Sequence, residues 1–156
     1  MNWRIRNEAL ITPFFRAWWR LRRPMTLGVR GVVTDGRGDV LLVKHSYSSG
    51  WHLPGGGVER GETALQSLTR ELEEEAGVTP TQTPILFGVY SNHANFPNDH
   101  VLVFRVEAWC SCAPRQDGEI AARDFFPLDR LPPDITGGTN RRLAEIFDAQ
   151  APSTMW

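Results

Sequence analysis

Residues 56–78 read GGVERGETALQSLTRELEEEAGV, directly after Trp51-His52-Leu53-Pro54-Gly55. Thr63–Ala76 within them has the marks of one helix. Thr63, with Gln66 three residues on, makes a capping box. Leu65, Leu68, Leu72 and Ala76 recur at helical spacing and form the predicted buried stripe. Gly77 stands where a left-handed closing residue is expected, Val78 follows as an apolar closer, and Pro80 stops continuation.

The same helix carries acids where a sequence tuned for stability would avoid them. At about 100° per residue, Glu71, Glu74 and Glu75 share one flank beside the leucine stripe, whereas Glu73 projects toward water. Like charges at this spacing repel by a few tenths of a kcal/mol per pair. In the last turns they also oppose the helix dipole, at roughly 0.3–1 kcal/mol each. A solvated acidic face is one reading. A bound divalent cation is the other, because hard cations take oxygen ligands and Mg²⁺ combines a few carboxylates with water and substrate phosphates. Pro54-Gly55-Gly56-Gly57 favours the second, since it lets backbone approach a ligand and exposes carbonyl oxygens. Glu62 adds a carboxylate just ahead of the helix, and Arg70 can steady Glu71 or Glu74.

Outward from this segment the pattern is one of strands. Leu27–Thr34 and Asp39–Lys44 are apolar runs joined by Asp35-Gly36-Arg37-Gly38, which predicts a hairpin. Ile85–Tyr90 and Val101–Trp109 read as strands around the polar loop Ser91–His100. Phe125–Leu128 is a short apolar run, and Thr139–Ala149 a second helix with Leu143, Ile146 and Phe147 on one face and Arg141 and Arg142 at the surface. The chain divides into a basic, aromatic arm at 1–23, expected to be helical, a domain at 24–150 and a tail at 151–156.

The 156 residues fit one domain, and 41% hydrophobic with 22% charged residues suits a globular fold rather than a disordered chain. A formal net charge of −1 argues against stable nucleic-acid binding by phosphate neutralisation. Charge is uneven: the arm holds six arginines against Glu8, leaving 11 basic and 17 acidic residues elsewhere. With Trp3, Trp18 and Trp19, the arm could pack on the domain, serve a homodimer interface or meet an anionic membrane surface. No run of about 18 apolar residues predicts a membrane span. Cys110 and Cys112 lack zinc-site spacing and read as reduced thiols, so a cytoplasmic location is expected.

Gly56, Glu62 and Arg70-Glu71-Leu72-Glu73-Glu74-Glu75-Ala76-Gly77-Val78 fill every fixed position of the pattern G-x5-E-x7-R-E-U-x-E-E-x-G-U, where U is apolar. In this the chain resembles the Nudix hydrolases, and the similarity extends over roughly Leu27 to Phe147. The resemblance implies an α/β fold, an α/β/α sandwich around a mixed β-sheet. It implies Mg²⁺, with Mn²⁺ able to substitute, held by Glu71, Glu74, Glu75 and the Gly55 carbonyl. Arg70 would orient a box glutamate, and Glu62 would stand behind the ligands or reach the metal through water.

The implied reaction is hydrolysis of a diphosphate linkage in a nucleoside diphosphate joined to another moiety. Its general base would be a box glutamate, Glu71 or Glu75, or a downstream loop glutamate, for which Glu119 is the candidate. Asn92, His93 and Phe96 are expected near a nucleotide-type small-molecule substrate, and Lys44 near its phosphates. A non-catalytic nucleotide-sensing module is the alternative, although such modules usually lose box glutamates and this chain keeps them all.

Overall fold

The turn Asp35-Gly36-Arg37-Gly38 forms as expected, with Gly38 N–H donating to Asp35 O at 3.0 Å, but it does not close a hairpin. In the computed structural model, which describes residues 25–115 and 118–156, the two strands it joins enter different sheets. Strand β1 (Thr26–Val33) pairs in parallel with β5 (Asp99–Val106), and β4 (Ile85–Ser91) adds antiparallel to β5. Strand β2 (Val40–His45) pairs instead with β7 (Ile120–Phe126). The two flanking strands share only the bridge Thr34–Val40. The reason is steric: residues 52–58 lie between them. His52 exchanges both backbone hydrogen bonds with Val43 at 2.9 Å, and Pro54, Gly56 and Val58 bond to Gly31, Val29 and Leu27.

Side chains alternate across these strands, which makes the layers. Val29 and Val33 of β1, Leu41 and Val43 of β2, and Phe104 and Val106 of β5 pack with Leu68, Leu72 and Ala76. Val32, Val40, Leu42, Val101 and Val103, on the opposite parity, pack with Leu53, Tyr90 and Leu143. The first set sits under helix α1 (Ala64–Glu71) and its continuation, the second under helix α2 (Gly137–Phe147). This is the α/β/α sandwich that the resemblance implies. A small pair, β3 (Val78–Pro80) with β6 (Trp109–Ser111), follows the first helix, and a 3-10 turn at Leu128–Arg130 precedes the second.

Helix α1 begins as expected: Thr63 Oγ1 accepts from Gln66 N–H at 3.2 Å while Gln66 returns the bond to Thr63 N–H at 2.8 Å. It does not end as an α-helix. Leu72–Ala76 form a π-helical turn that Gly77 closes, its N–H reaching Leu72 O from a left-handed φ of 68°. Leu65 is exposed, contrary to the expected stripe; Ala64 packs on the core and buried Ser67 donates to Gly57 O at 2.9 Å. In α2 the corrections are larger. Phe147 is exposed, while Arg142, expected at the surface, is fully buried. Cys110 and Cys112 are free thiols, as expected. The arm at 1–23 lies outside the described residues.

Candidate active site

The bonds from residues 54–58 to β1 fix the glycine loop along that strand. Val29 N–H donates to Gly56 O at 2.9 Å, and Val58 N–H to Leu27 O at 2.8 Å. Gly55 takes a φ of 138°, and a Cβ there would meet Val29 O at 2.2 Å, so only glycine fits. Gly56 faces the helix: its missing Cβ leaves room for the Glu71 carboxylate, which would otherwise lie 2.4 Å away.

Arg70 is the hub of the acid cluster. Its Nε and Nη2 grip both oxygens of Glu62 at 2.8 and 3.0 Å, and its Nη1 donates to Glu71 Oε1 at 2.7 Å and lies 3.6 Å from Glu74 Oε2. The two-pronged hydrogen bond from Arg70 holds the Glu62 carboxyl down at about 2, and Glu62 in turn raises the Arg70 guanidinium. Arg115 takes the other oxygen of Glu74 at 2.6 Å. Glu73 points elsewhere and accepts from Thr79 Oγ1 at 2.9 Å.

Glu75 differs from its neighbours. Its Oε2 accepts from Gly55 N–H at 2.8 Å. Burial is the main influence on its carboxyl and, with Glu71 and Glu119 nearby, outweighs the Gly55 bond and Arg30 and pushes it up to about 7. His45 Nε2 stands 3.7 Å from Glu75 Oε1, beyond hydrogen-bond reach. Burial, reinforced by Arg30, holds that imidazole down at about 4, so it is neutral at pH 7 and no ion pair forms. Arg30, the only charged residue in Leu27–Thr34, turns its Nη1 onto Gly55 O and, at 3.3 Å, onto Leu53 O. Its guanidinium is a positive charge near Glu75 and, with Arg70, near Glu71.

Among the described residues no three side chains of the ligand types converge into a finished ion cage. Arginines hold the acids instead. The donor chemistry nevertheless suits a hard divalent cation, since every candidate ligand is oxygen: three carboxylates and the Gly55 carbonyl. Glu75, with 12% of its side chain exposed and a hydrogen bond from Gly55, is a group that a cation would stabilise.

The remaining expectations separate. Glu119 is exposed in its loop, and its charge acts on both Glu75 and Tyr47. Asn92 and Phe96 line a cleft of about 340 Å³ beside Gly56, Gly57 and Arg30. His93 is exposed and stands outside that lining. Lys44 bonds to Asp134 at 2.8 Å and stands outside the lining of the cleft. Trp51 packs edge-on against Phe126 at 4.7 Å, as a structural residue would.

Sequence reasoning passed over Arg30, Asp99 and Trp156, which also line the cleft. The signal for Arg30 was present, a lone charge in an apolar strand run. For Trp156 there was none, because what places it is the burial of Arg142.

Residues 24–146 match the NUDIX domain. An ADP-ribose pyrophosphatase of Methanocaldococcus jannaschii is 33% identical over 125 residues, covering 73% of this chain and 69% of that protein. A Bacillus subtilis protein is 30% identical over 125 residues, covering 77% of this chain and only 59% of its own length. Among solved structures, a MutT NUDIX hydrolase from Burkholderia pseudomallei aligns with a TM-score of 0.67 at 26% identity, covering 78% of this chain and 97% of that one.

Proposed function

The chain belongs to the Nudix family, and we propose that it is a metal-dependent pyrophosphohydrolase acting on a nucleoside diphosphate joined to another moiety. The observation that carries this reading is geometric: Glu75, with only 12% of its side chain exposed, accepts from Gly55 N–H at 2.8 Å and stands at the glycine loop with Glu71 and Glu74 of the same helix. The similarity to a protein named as an ADP-ribose pyrophosphatase supports the nucleotide part of the reading.

In this reading Glu71, Glu74, Glu75 and the Gly55 carbonyl hold Mg²⁺, with Mn²⁺ able to substitute. The bound ion supplies charge neutralisation of the diphosphate and a lowered pKa for the attacking water. Arg70 keeps Glu71 aimed at the glycine loop, and Glu62 locks Arg70 from behind. Arg30 sets a fixed positive charge where an anionic diphosphate would meet Gly55. The proton of the attacking water passes to a box glutamate or to Glu119.

A non-catalytic sensing module would share the fold and the cleft but has no use for the full acid set. Incubation of the purified chain with Mg²⁺ or Mn²⁺ and a panel of ADP-ribose, other nucleoside diphosphate derivatives, dinucleoside polyphosphates and capped RNA ends separates the two. Hydrolysis to monophosphate products that stops on chelation is expected. Binding without cleavage of any of them would establish the sensing module instead.

A further inference from the structure

Arg30 is a charge within an apolar strand, between buried Val29 and buried Gly31. Its Nη1 serves two backbone carbonyls, Gly55 O and, at 3.3 Å, Leu53 O. Among the described residues its Nε and Nη2 have no acceptor, and the guanidinium pairs with no carboxylate. Glu71 is taken by Arg70, and Glu74 by Arg70 and Arg115. The open side belongs to a residue that lines the cleft of about 340 Å³ beside Gly56 and Gly57.

The glycine loop does not need Arg30 as a strut. Val29 N–H donates to Gly56 O and Gly31 N–H to Pro54 O, both at 2.9 Å, and Val58 N–H to Leu27 O at 2.8 Å. A partly buried guanidinium without a carboxylate is costly, so its open edge calls for a reason. Nε and Nη2 are the two donors with which Arg70 grips both oxygens of Glu62, at 2.8 and 3.0 Å. The same edge of Arg30 matches a phosphate. Its other side touches Gly55 O, the carbonyl read above as a cation ligand. One oxygen then meets two positive charges. Its two lone pairs admit both, but like charges this close repel, and more strongly away from bulk water. An anion on the open edge of Arg30 cancels one of them.

We propose that Arg30 is a positioning residue that couples cation to anion: sharing Gly55 O, its guanidinium holds cation affinity down until a phosphate occupies its Nε–Nη2 edge. Phosphate and cation then strengthen each other's binding by the same factor, as linkage requires. The proposal rests on the reading above for the cation's place at Gly55 and goes beyond it in what Arg30 does there.

Calorimetric titration with Mn²⁺ alone, and with ADP in the presence of chelator, tests this without any turnover. Arg30→Met should bind Mn²⁺ at least about fivefold more tightly than the parent. It should bind ADP at least about tenfold more weakly, since hydrogen bonds between charged groups are lost. Opposite signs are the signature, because an arginine with a structural role alone would weaken both when removed. Arg30→Gln keeps an N–H for Leu53 O and should show the same two signs if Arg30→Met does not fold. In the parent, AMP should tighten Mn²⁺ at least about fivefold, and adenosine, which lacks the phosphate, should leave it unchanged. A folded neutral variant that binds Mn²⁺ no more tightly or ADP no more weakly than the parent overturns the coupling and leaves the metal site standing, as does an AMP-insensitive parent. No Mn²⁺ bound at millimolar concentration, with or without AMP, removes the metal reading and the proposal together. Coupling without Mg²⁺-dependent cleavage of any substrate leaves the proposal standing and removes the enzymatic reading.

Discussion

Glu75 accepts the backbone N–H of Gly55 at 2.8 Å, and this bond ties the last turn of the acidic helix to the glycine loop 20 residues earlier. It is one favourable contact against substantial burial, and the carboxyl ends at about 7 against an ordinary 4.5. The folded protein therefore keeps a proton that the unfolded chain loses above pH 4.5. Stability contributed by this group falls as pH rises from about 4.5 to 7, and the deficit is complete above 7. A shift of this size corresponds to about 3 kcal/mol.

Glu75→Gln keeps an acceptor for Gly55 and cannot ionise. With chelator present it should be more stable than the parent at pH 8, by up to about 3 kcal/mol, and equal to it near pH 4.5. Urea melts at the two pH values decide this. A variant no more stable than the parent at pH 8 would show that Glu75 is already compensated.

Neighbouring glutamates on one turn should behave in opposite ways. Glu73 accepts from Thr79, whereas Glu74 lies between Arg70 and Arg115. Glu74→Gln and Glu71→Gln are expected to lower kcat by at least about a hundredfold, since a lost metal ligand removes several kcal/mol of charge stabilisation. Glu73→Gln should stay within about threefold of the parent, its hydrogen bond being worth about 1 kcal/mol at most. Steady-state rates at saturating Mg²⁺ measure both, and equal losses at Glu73 and Glu74 would contradict the assignment.

The local part of this architecture was legible in the sequence. Capping by Thr63 and Gln66, the closing Gly77 and the crowding of Glu71, Glu74 and Glu75 all depend on residues within one or two turns of each other. What escaped depends on distant partners. The strands flanking Asp35–Gly38 read as a hairpin because nothing local reveals that residues 52–58 come between them. The π-turn at Leu72–Ala76 needs an i to i+5 bond that α-periodicity hides, although such turns gather at functional sites. Arg142 read as a surface residue because, although its charge partner Glu145 is three residues on, the groups that cover it, Tyr90 and Met155, are 52 and 13 residues away.

That buried arginine gives a stability test. Arg142→Met removes the partner of a buried carboxylate and should cost about 3–5 kcal/mol. Adding Glu145→Gln removes the stranded charge and should recover part of the loss while keeping an acceptor for Tyr90. Chemical denaturation of the single and double variants measures this coupling. Additive losses would mean that the two side chains do not act as a pair.

Adjacent glycines should fail in different ways when given the same methyl group. At Gly55 a Cβ meets Val29 O, a backbone atom at 2.2 Å that cannot yield, at a φ of 138° that L-residues avoid. Gly55→Ala should therefore lose stability, by at least about 1–3 kcal/mol for the backbone conformation alone. At Gly56 the obstacle is Glu71 Oε1, the end of a flexible side chain held by Arg70. Gly56→Ala should thus melt close to the parent but displace Glu71, weakening Mn²⁺ binding about tenfold or more. Calorimetric titration with Mn²⁺ beside thermal melts separates the two outcomes. A Gly56→Ala protein that binds Mn²⁺ as tightly as the parent would place Glu71 outside the coordination sphere, leaving Glu74, Glu75 and the Gly55 carbonyl to hold the ion.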